Sequence, residues 1–137
     1  FQKGTLLLFG GQETATAHLP DLFEKDPIAW TGEEDLTPLL QRLQRFKREG
    51  AVREGSYDLK AASESETVIG QYRFGNERLT GIFCLDGKAA KVAVDLPDGV
   101  YRNQLDDQEY QISEGLLETR SVPILFKSYG EALLTEV

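Results

Sequence analysis

The spacing of apolar residues changes along this chain, and each spacing predicts a different element. Residues Gly4 to Gly11 hold a continuous run, Thr5-Leu6-Leu7-Leu8-Phe9, closed by a glycine pair. Antiparallel strands with one wet face alternate polar and apolar residues. A run apolar on both faces therefore predicts a strand of a parallel sheet that is covered on each side. Such a strand needs parallel neighbours, and no βα repeat surrounds it in this sequence. Its neighbours are expected outside the chain.

From Thr31 to about Glu49 the period becomes helical, with Leu36, Leu39, Leu40, Leu43 and Phe46 on one face. Gln41, Arg42, Gln44, Arg45, Lys47 and Arg48 fill the remaining turns. One amphipathic helix is predicted, with Asp35 as N-cap, Pro38 tolerated in the first turn and Gly50 as the C-terminal stop. The acidic start (Glu33, Glu34, Asp35) and basic end (Lys47, Arg48) complement the helix dipole.

After Gly55 the period falls to two. Val68, Tyr72 and Phe74 share a face; Ala90, Val92, Val94 and Leu96 share another, with Lys91 and Asp95 opposite; Val122, Ile124 and Phe126 alternate again. Gly75-Asn76, Asp86-Gly87, Pro97-Asp98-Gly99, Asp106-Asp107 and Glu114-Gly115 supply the turns. Asp86-Gly87 is expected to close a hairpin between strands ending near Leu85 and starting near Ala89. The fold class that follows is mainly β, an antiparallel β-sandwich of about seven or eight strands preceded by one strand and one amphipathic helix. Pro123 lacks a ladder donor, so the last strand is expected at an edge or bulge. The aromatics Tyr57, Tyr72, Phe74, Phe83, Tyr101, Tyr110, Phe126 and Tyr129 read as core.

Composition narrows the partners. The 15 Lys and Arg against 23 Asp and Glu give a net charge of −8, which repels phosphate backbones and anionic membranes. Neither nucleic acid nor a membrane is expected as a partner. Leu6 to Phe9 is far too short to span a bilayer. Cys84 is the single cysteine, so no intramolecular disulfide forms, and its apolar surroundings predict a small buried hydrophobe. At 137 residues there is room for one domain plus a fragment of another. Phe1 in place of Met suggests a fragment or processed product.

The run Gly4-Thr5-Leu6-Leu7-Leu8-Phe9-Gly10-Gly11-Gln12-Glu13 resembles the eighth barrel strand of the α-amylase family, where an apolar Gly-x-Pro run ends in Gly-x-Glu. Leu6 stands where that family has proline, and Gly10 where it often has an aromatic or small apolar residue. Asp26-Pro27-Ile28-Ala29-Trp30 is similar to the Asp-x-Ile-x-Trp stretch before the final barrel helix, Leu36 to Glu49 to that helix, and Gly55-Ser56-Tyr57 to the entry into the C-terminal β-domain. The resemblance implies that residues 1–50 are the end of a (β/α) barrel and 51–137 a C-terminal antiparallel β-sandwich. It also implies that the nucleophile, the acid/base and the assisting carboxylate of retaining glycoside hydrolysis lie upstream. No catalytic role falls on this chain.

The loop after the barrel strand, Gln12 to Asp26, is what the resemblance places on the sugar-binding side. In it Glu13 is positioned either to hydrogen-bond sugar hydroxyls or to brace neighbouring backbone N–H groups. His18, the single histidine, is a candidate substrate contact or an ordinary loop residue. Trp30 reads as packing rather than as a stacking platform. No metal is expected: there is no second histidine, and Asp106, Asp107 and Glu109 lack the spacing of a calcium loop and read as a solvated turn. No cofactor is called for.

These residues predict the C-terminal portion of an α-amylase-like glycoside hydrolase acting on α-glucans, its β-domain stabilising the barrel and the chain inactive alone. Its partners would be the upstream catalytic barrel, α-glucan through that parent, and a second copy in a homo-oligomer through residues 4–46. A free-standing carbohydrate-binding module is the first alternative, and a small enzyme using Glu13 and Asp26 as a carboxylate pair the second. Glucan linkage, hydrolysis against transfer, and cellular compartment are not written in these residues.

Overall fold

The computed structural model describes residues 1–130 apart from Pro20, Leu22, Ala29, Thr31, Glu33, Ser63 and Glu64. Thr31 and Glu33 of the predicted helix start thus lie outside the described residues. The chain forms two compact units: Gly4–Phe46, and Phe1–Lys3 together with the chain from Lys47 onward.

In the first unit the helix α1 spans Thr37–Phe46. The Asp35 carboxylate accepts the N–H of Thr37 at 2.9 Å, satisfying a donor that the first turn leaves open. Pro38 then sits where no intrahelical donor is needed. The Leu36, Leu39, Leu40, Leu43 and Phe46 face is half-buried, while Gln41, Gln44 and Arg45 are exposed. Residues 5–9 carry no ladder, and Leu6, Leu7, Leu8 and Phe9 are exposed, Leu7 by 88%. The strand read from this run is therefore not formed here. A strand exists only through its partners, and an all-apolar one finds none in an antiparallel sandwich.

In the second unit Gly50 does not stop the predicted helix. α1 ends at Phe46, and a separate short helix α2 runs Gly50–Glu54 after an extended Glu49. The break lies where the chain is tied to other elements: Lys47 Nζ donates to the Gln2 carbonyl at 2.5 Å, and Glu49 pairs with Lys127 at 2.8 Å. Burial of Ala51 and Val52 turns α2 onto the sheet.

Eight strands follow: β1 (Ser56–Ala61), β2 (Thr67–Phe74), β3 (Glu77–Cys84), β4 (Lys91–Ala93), β5 (Gly99–Arg102), β6 (Glu109–Ser113), β7 (Leu116–Glu118) and β8 (Ile124–Tyr129). They make two four-stranded sheets, ordered β1-β2-β3-β8 and β4-β7-β6-β5, with antiparallel pairing throughout. This is the antiparallel sandwich that the alternation predicts. β8 lies at a sheet edge, as Pro123 requires.

Two hairpins are tight. Gly75 at φ 57 opens the two-residue β2–β3 turn, and Glu114 and Gly115, at φ 55 and 69, close β6–β7 with the paired positive φ of a type I′ turn. Asp86-Gly87, by contrast, joins β3 to β4, which belong to different sheets. The hairpin expected there is instead a crossover between layers.

The sheet-to-sheet core holds Ile82, Ile124 and Phe126 from the first sheet and Val92, Tyr110, Ile112 and Leu117 from the second. Each fully buried side chain of this kind contributes about 1.5–3 kcal/mol. Tyr72 and Leu79, paired across β2 and β3, fall out of phase with Ile82 and face the other way. They form a second core with Ala51 and Val52, against which Phe1 and Tyr57 pack. The predicted Val68, Tyr72 and Phe74 face is thus real but turned away from the second sheet. Phe74 and Tyr129, read as core, are exposed by 45% and 66%. Cys84 is only half-buried, and Thr119 Oγ1 lies 3.2 Å from its sulfur.

Candidate functional site

The loop after the apolar run folds back on itself before it reaches any partner. Gly11 at φ 94 starts a single 3-10 turn, Gln12–Thr14, and Ala15 at φ 51 ends it. The turn's open donors are met locally. Gly11 N–H donates to Glu13 Oε2 at 2.9 Å, and Phe9 N–H donates to Gln12 Oε1 at 2.8 Å. Leu36 N–H donates to the Glu13 carbonyl at 2.8 Å, which fastens the turn to the approach of α1. One carboxylate oxygen of Glu13 thus braces the backbone of the turn.

His18 Nε2 lies 2.7 Å from Asp26 Oδ2, and the same oxygen accepts the N–H of Asp21 at 2.8 Å. The Asp21 N–H first, and His18 second, hold the Asp26 carboxyl below the usual carboxylate range. Asp21 in turn accepts the N–H groups of Phe23 and Glu24 through its own carboxylate. Short-range acceptors therefore link His18, Asp21, Phe23, Glu24 and Asp26.

These two features enclose a cleft of about 190 Å³. Phe9, Gly10, Gly11 and Ile28 give it an apolar side, and Gln12, Thr16, His18 and Asp26 a polar one. Gly10 lies close against that side: a Cβ would stand 2.6 Å from Ile28 Cδ1, so the Ile28 side chain would have to shift to admit one. The ring of Trp30 reaches the same glycine, but the residue is 60% exposed, so the packing role expected of it is only partly filled.

Of the sequence-predicted site residues, His18 lines the cleft and Glu13 does not. Asp26 is joined to His18 rather than to Glu13. Gln12 and Thr16 are polar lining residues that pattern reading leaves unnamed within the loop, because their role depends on the turn geometry alone.

An apolar wall facing amide, hydroxyl, imidazole and carboxylate groups suits a hydroxyl-rich ring. Asp26 is engaged by His18 and the Asp21 N–H, and Glu13 by the Gly11 N–H, so the two carboxylates considered from sequence as a pair are held by separate partners. Among the described residues no three carboxylate, histidine or cysteine groups converge as a metal site, and no helix is long and apolar enough to cross a membrane.

Comparison with known proteins extends beyond this cleft. Residues 58–126, half of the chain, match the family described as bacterial alpha amylase C-terminal domain. The search of curated proteins returned no match. Among solved structures the chain is similar to an α-amylase from Lactobacillus plantarum, with TM-score 0.83 and 34% identity over 93% of this chain and 30% of that one. It is also similar to a noncanonic maltogenic α-amylase from Thermotoga neapolitana, with TM-score 0.75 and 15% identity over 93% of this chain and 34% of that one. A γ-CGTase from alkalophilic Bacillus clarkii shares the fold at TM-score 0.54 and 17% identity, over 79% of this chain and 19% of that one. The chain therefore spans about a third or less of these relatives.

Proposed function

The chain belongs to the family of bacterial α-amylase C-terminal domains and is part of an amylase-like glycoside hydrolase; from that premise we propose that its parent acts on α-glucans. Residues 1–50 close the catalytic barrel and residues 51–137 form the domain that stabilises it. The observation that carries this reading is the extent of the likeness to the Lactobacillus plantarum enzyme, which at 93% of the chain reaches well before the sandwich.

The exposed Leu6 to Phe9 run supports it too, since four adjacent apolar side chains suit burial in a parallel sheet. In this reading the cleft beside Phe9 and His18 holds part of the glucan at the barrel rim, and Glu13 keeps the rim in shape. The chain supplies contacts and stability, and the upstream carboxylates supply the chemistry.

Fragment complementation tests this. The chain alone should show no turnover of starch or maltooligosaccharide. Added to an α-amylase barrel truncated before the segment that matches Gly4, it should restore hydrolysis. Turnover by the chain alone, or no restoration at any ratio, would overturn the reading. The exposed Trp30 favours a second reading, a carbohydrate-binding module. A saturable change of Trp30 fluorescence with maltooligosaccharide, without complementation, would establish that reading instead.

A further inference from the structure

The face of the first sheet that meets the second does not stay apolar to its end. Along β2 and β3 it passes from Ile69 and Ile82 to Gln71 and Thr80, and then to Arg73 and Arg78. Side chains directly opposite across a ladder share a face, so the last row runs Ser56, Arg73, Arg78, Ser128 over all four strands. Strand pairing alone does not favour this row, because like charges directly opposite each other destabilise the pair.

The row is built from beneath. Gln71 and Thr80 are 7% and 1% exposed, and the Gln71 side-chain amide donates to Thr80 Oγ1 at 3.0 Å. That bond fixes the Gln71 side-chain oxygen, which accepts Arg73 Nε–H at 2.6 Å. Arg73 Nη2 meets the Asp95 carboxylate at 3.1 Å. A buried amide and a carboxylate thus orient the first guanidinium, and Asp95 balances its charge.

Arg78 has no such balance. It is half-buried, and its guanidinium lies so close over Gly130 that a Cβ there would stand 3.3 to 3.4 Å from three of its atoms. Among the described residues it makes no ion pair. Asp58, opposite Gln71 on the same face, is beside Lys60 at 3.4 Å. The Ser128 hydroxyl opposite Arg78 and the Ser56 hydroxyl opposite Arg73 add donors at the two ends of the row.

Two guanidiniums against the one carboxylate of Asp95 leave a net positive charge and an open planar fork of donors. Such a fork matches two oxygens of one anion. An anion with two charges gains from both arginines, whereas chloride or a carboxylate, with one, gains mainly from Arg78. The chain's net charge of −8 opposes any anion. That repulsion is spread over the surface and is screened beyond about 8 Å at physiological ionic strength, so the local pair decides.

We propose that Ser56, Arg73, Arg78 and Ser128 bind a phosphate group, carried free or as a monoester on a sugar. The site belongs to the sandwich alone and does not depend on which substrate the parent takes.

Thermal unfolding of the full chain at pH 7, with ionic strength held constant by sodium chloride, tests it. Inorganic phosphate at about 20 mM should raise the melting temperature by roughly 5 °C, as a site of millimolar affinity requires. Acetate at the same ionic strength should give no rise. Arg78→Gln should abolish the response, and Arg102→Gln, which takes the same charge from the second sheet, should keep it. Arg78→Lys retains the charge and loses the fork, so its rise should be less than about half; it decides the matter if the glutamine variant does not fold.

Glucose 6-phosphate and glucose identify the source. A rise with the ester and none with glucose assigns the site to sugar phosphates, and a rise with inorganic phosphate alone assigns it to the free ion. No rise with either phosphate, an equal rise with acetate, a full rise in Arg78→Gln or Arg78→Lys, or a response lost equally in Arg102→Gln would overturn the site.

Discussion

Asn103 and Leu125 are joined across the sandwich: the Asn103 Oδ1 atom accepts the backbone N–H of Leu125 at 2.9 Å. The same oxygen accepts Leu105 N–H, and the side-chain amide donates to the Pro123 carbonyl at 3.1 Å. Asn103 is fully buried, so it replaces water for three backbone groups that the edge strand β8 and the β5–β6 loop leave open.

Asn103→Ala should therefore strand the buried Leu125 N–H together with two part-buried backbone groups and cost roughly 2–4 kcal/mol. Urea unfolding followed by circular dichroism should show a lower midpoint at an unchanged slope. A shift too small to measure would mean that water takes over these bonds.

Gly87 sits at φ 68 with open space where a Cβ would be, so any cost of substitution there comes from the backbone alone. Gly87→Val should lower stability by about 1 kcal/mol or more, and Gly87→Asn, which tolerates the left-handed region, by less. Thermal unfolding of the pair checks the ordering. Equal melting temperatures for Val and Asn would contradict the turn geometry.

Asp98 accepts the N–H groups of Glu114 and Gly115 at 2.8 and 3.0 Å, clasping the β6–β7 turn. The Gly115 N–H first, and the Glu114 N–H next, hold its carboxyl below the usual range. A depressed pKa in the folded state gives stability that is complete above the unfolded value of about 4 and is lost as pH falls through the lower folded value. Melting temperature should decline from about pH 4 downward, and Asp98→Asn should make that decline shallower. Superimposable acid limbs would remove Asp98 from the account.

The Leu6 to Phe9 run predicts the behaviour of the chain when no barrel is offered. Adjacent exposed apolar side chains favour a second copy, with strand pairing as the directional contact. Sedimentation of the chain should show a dimer or higher oligomer. Leu7→Glu with Leu8→Glu should dissociate it while the sandwich stays folded. A monomeric unaltered chain would mean that the run is satisfied within its own unit.

Much of the sandwich is legible in the sequence because its signals are local. Val92, Val94 and Leu96 alternate with Lys91 and Asp95, and Gly75-Asn76 and Glu114-Gly115 are turn pairs that permit few other geometries. What is not legible depends on sheet order. Val68, Tyr72 and Phe74 share a face by period alone, but whether that face meets the second sheet or α2 is decided by which strands lie beside β2.

Asp86-Gly87 carries the same turn chemistry as a hairpin and still connects two layers. α2 is hidden because two buried residues, Ala51 and Val52, are too few to show a period. At the candidate site, spacing marks the Gln12 to Asp26 loop. It does not reveal that Glu13 turns back onto Gly11 or that His18 meets Asp26, since both contacts follow from the 3-10 turn and from the Asp21 bend.

The packing of Phe1 against Tyr72 also has a consequence for the order in which the molecule is assembled. Phe1 leaves the ribosome long before Tyr72, its partner 71 residues on, so it has no site until β2 and β3 have paired. That pairing closes across two residues and should be early, whereas capture of Phe1 must close a loop over the whole intervening segment. The sandwich should thus nucleate from its hairpins and take up Phe1 as a late step, so that the first residue to be made is among the last to find its place.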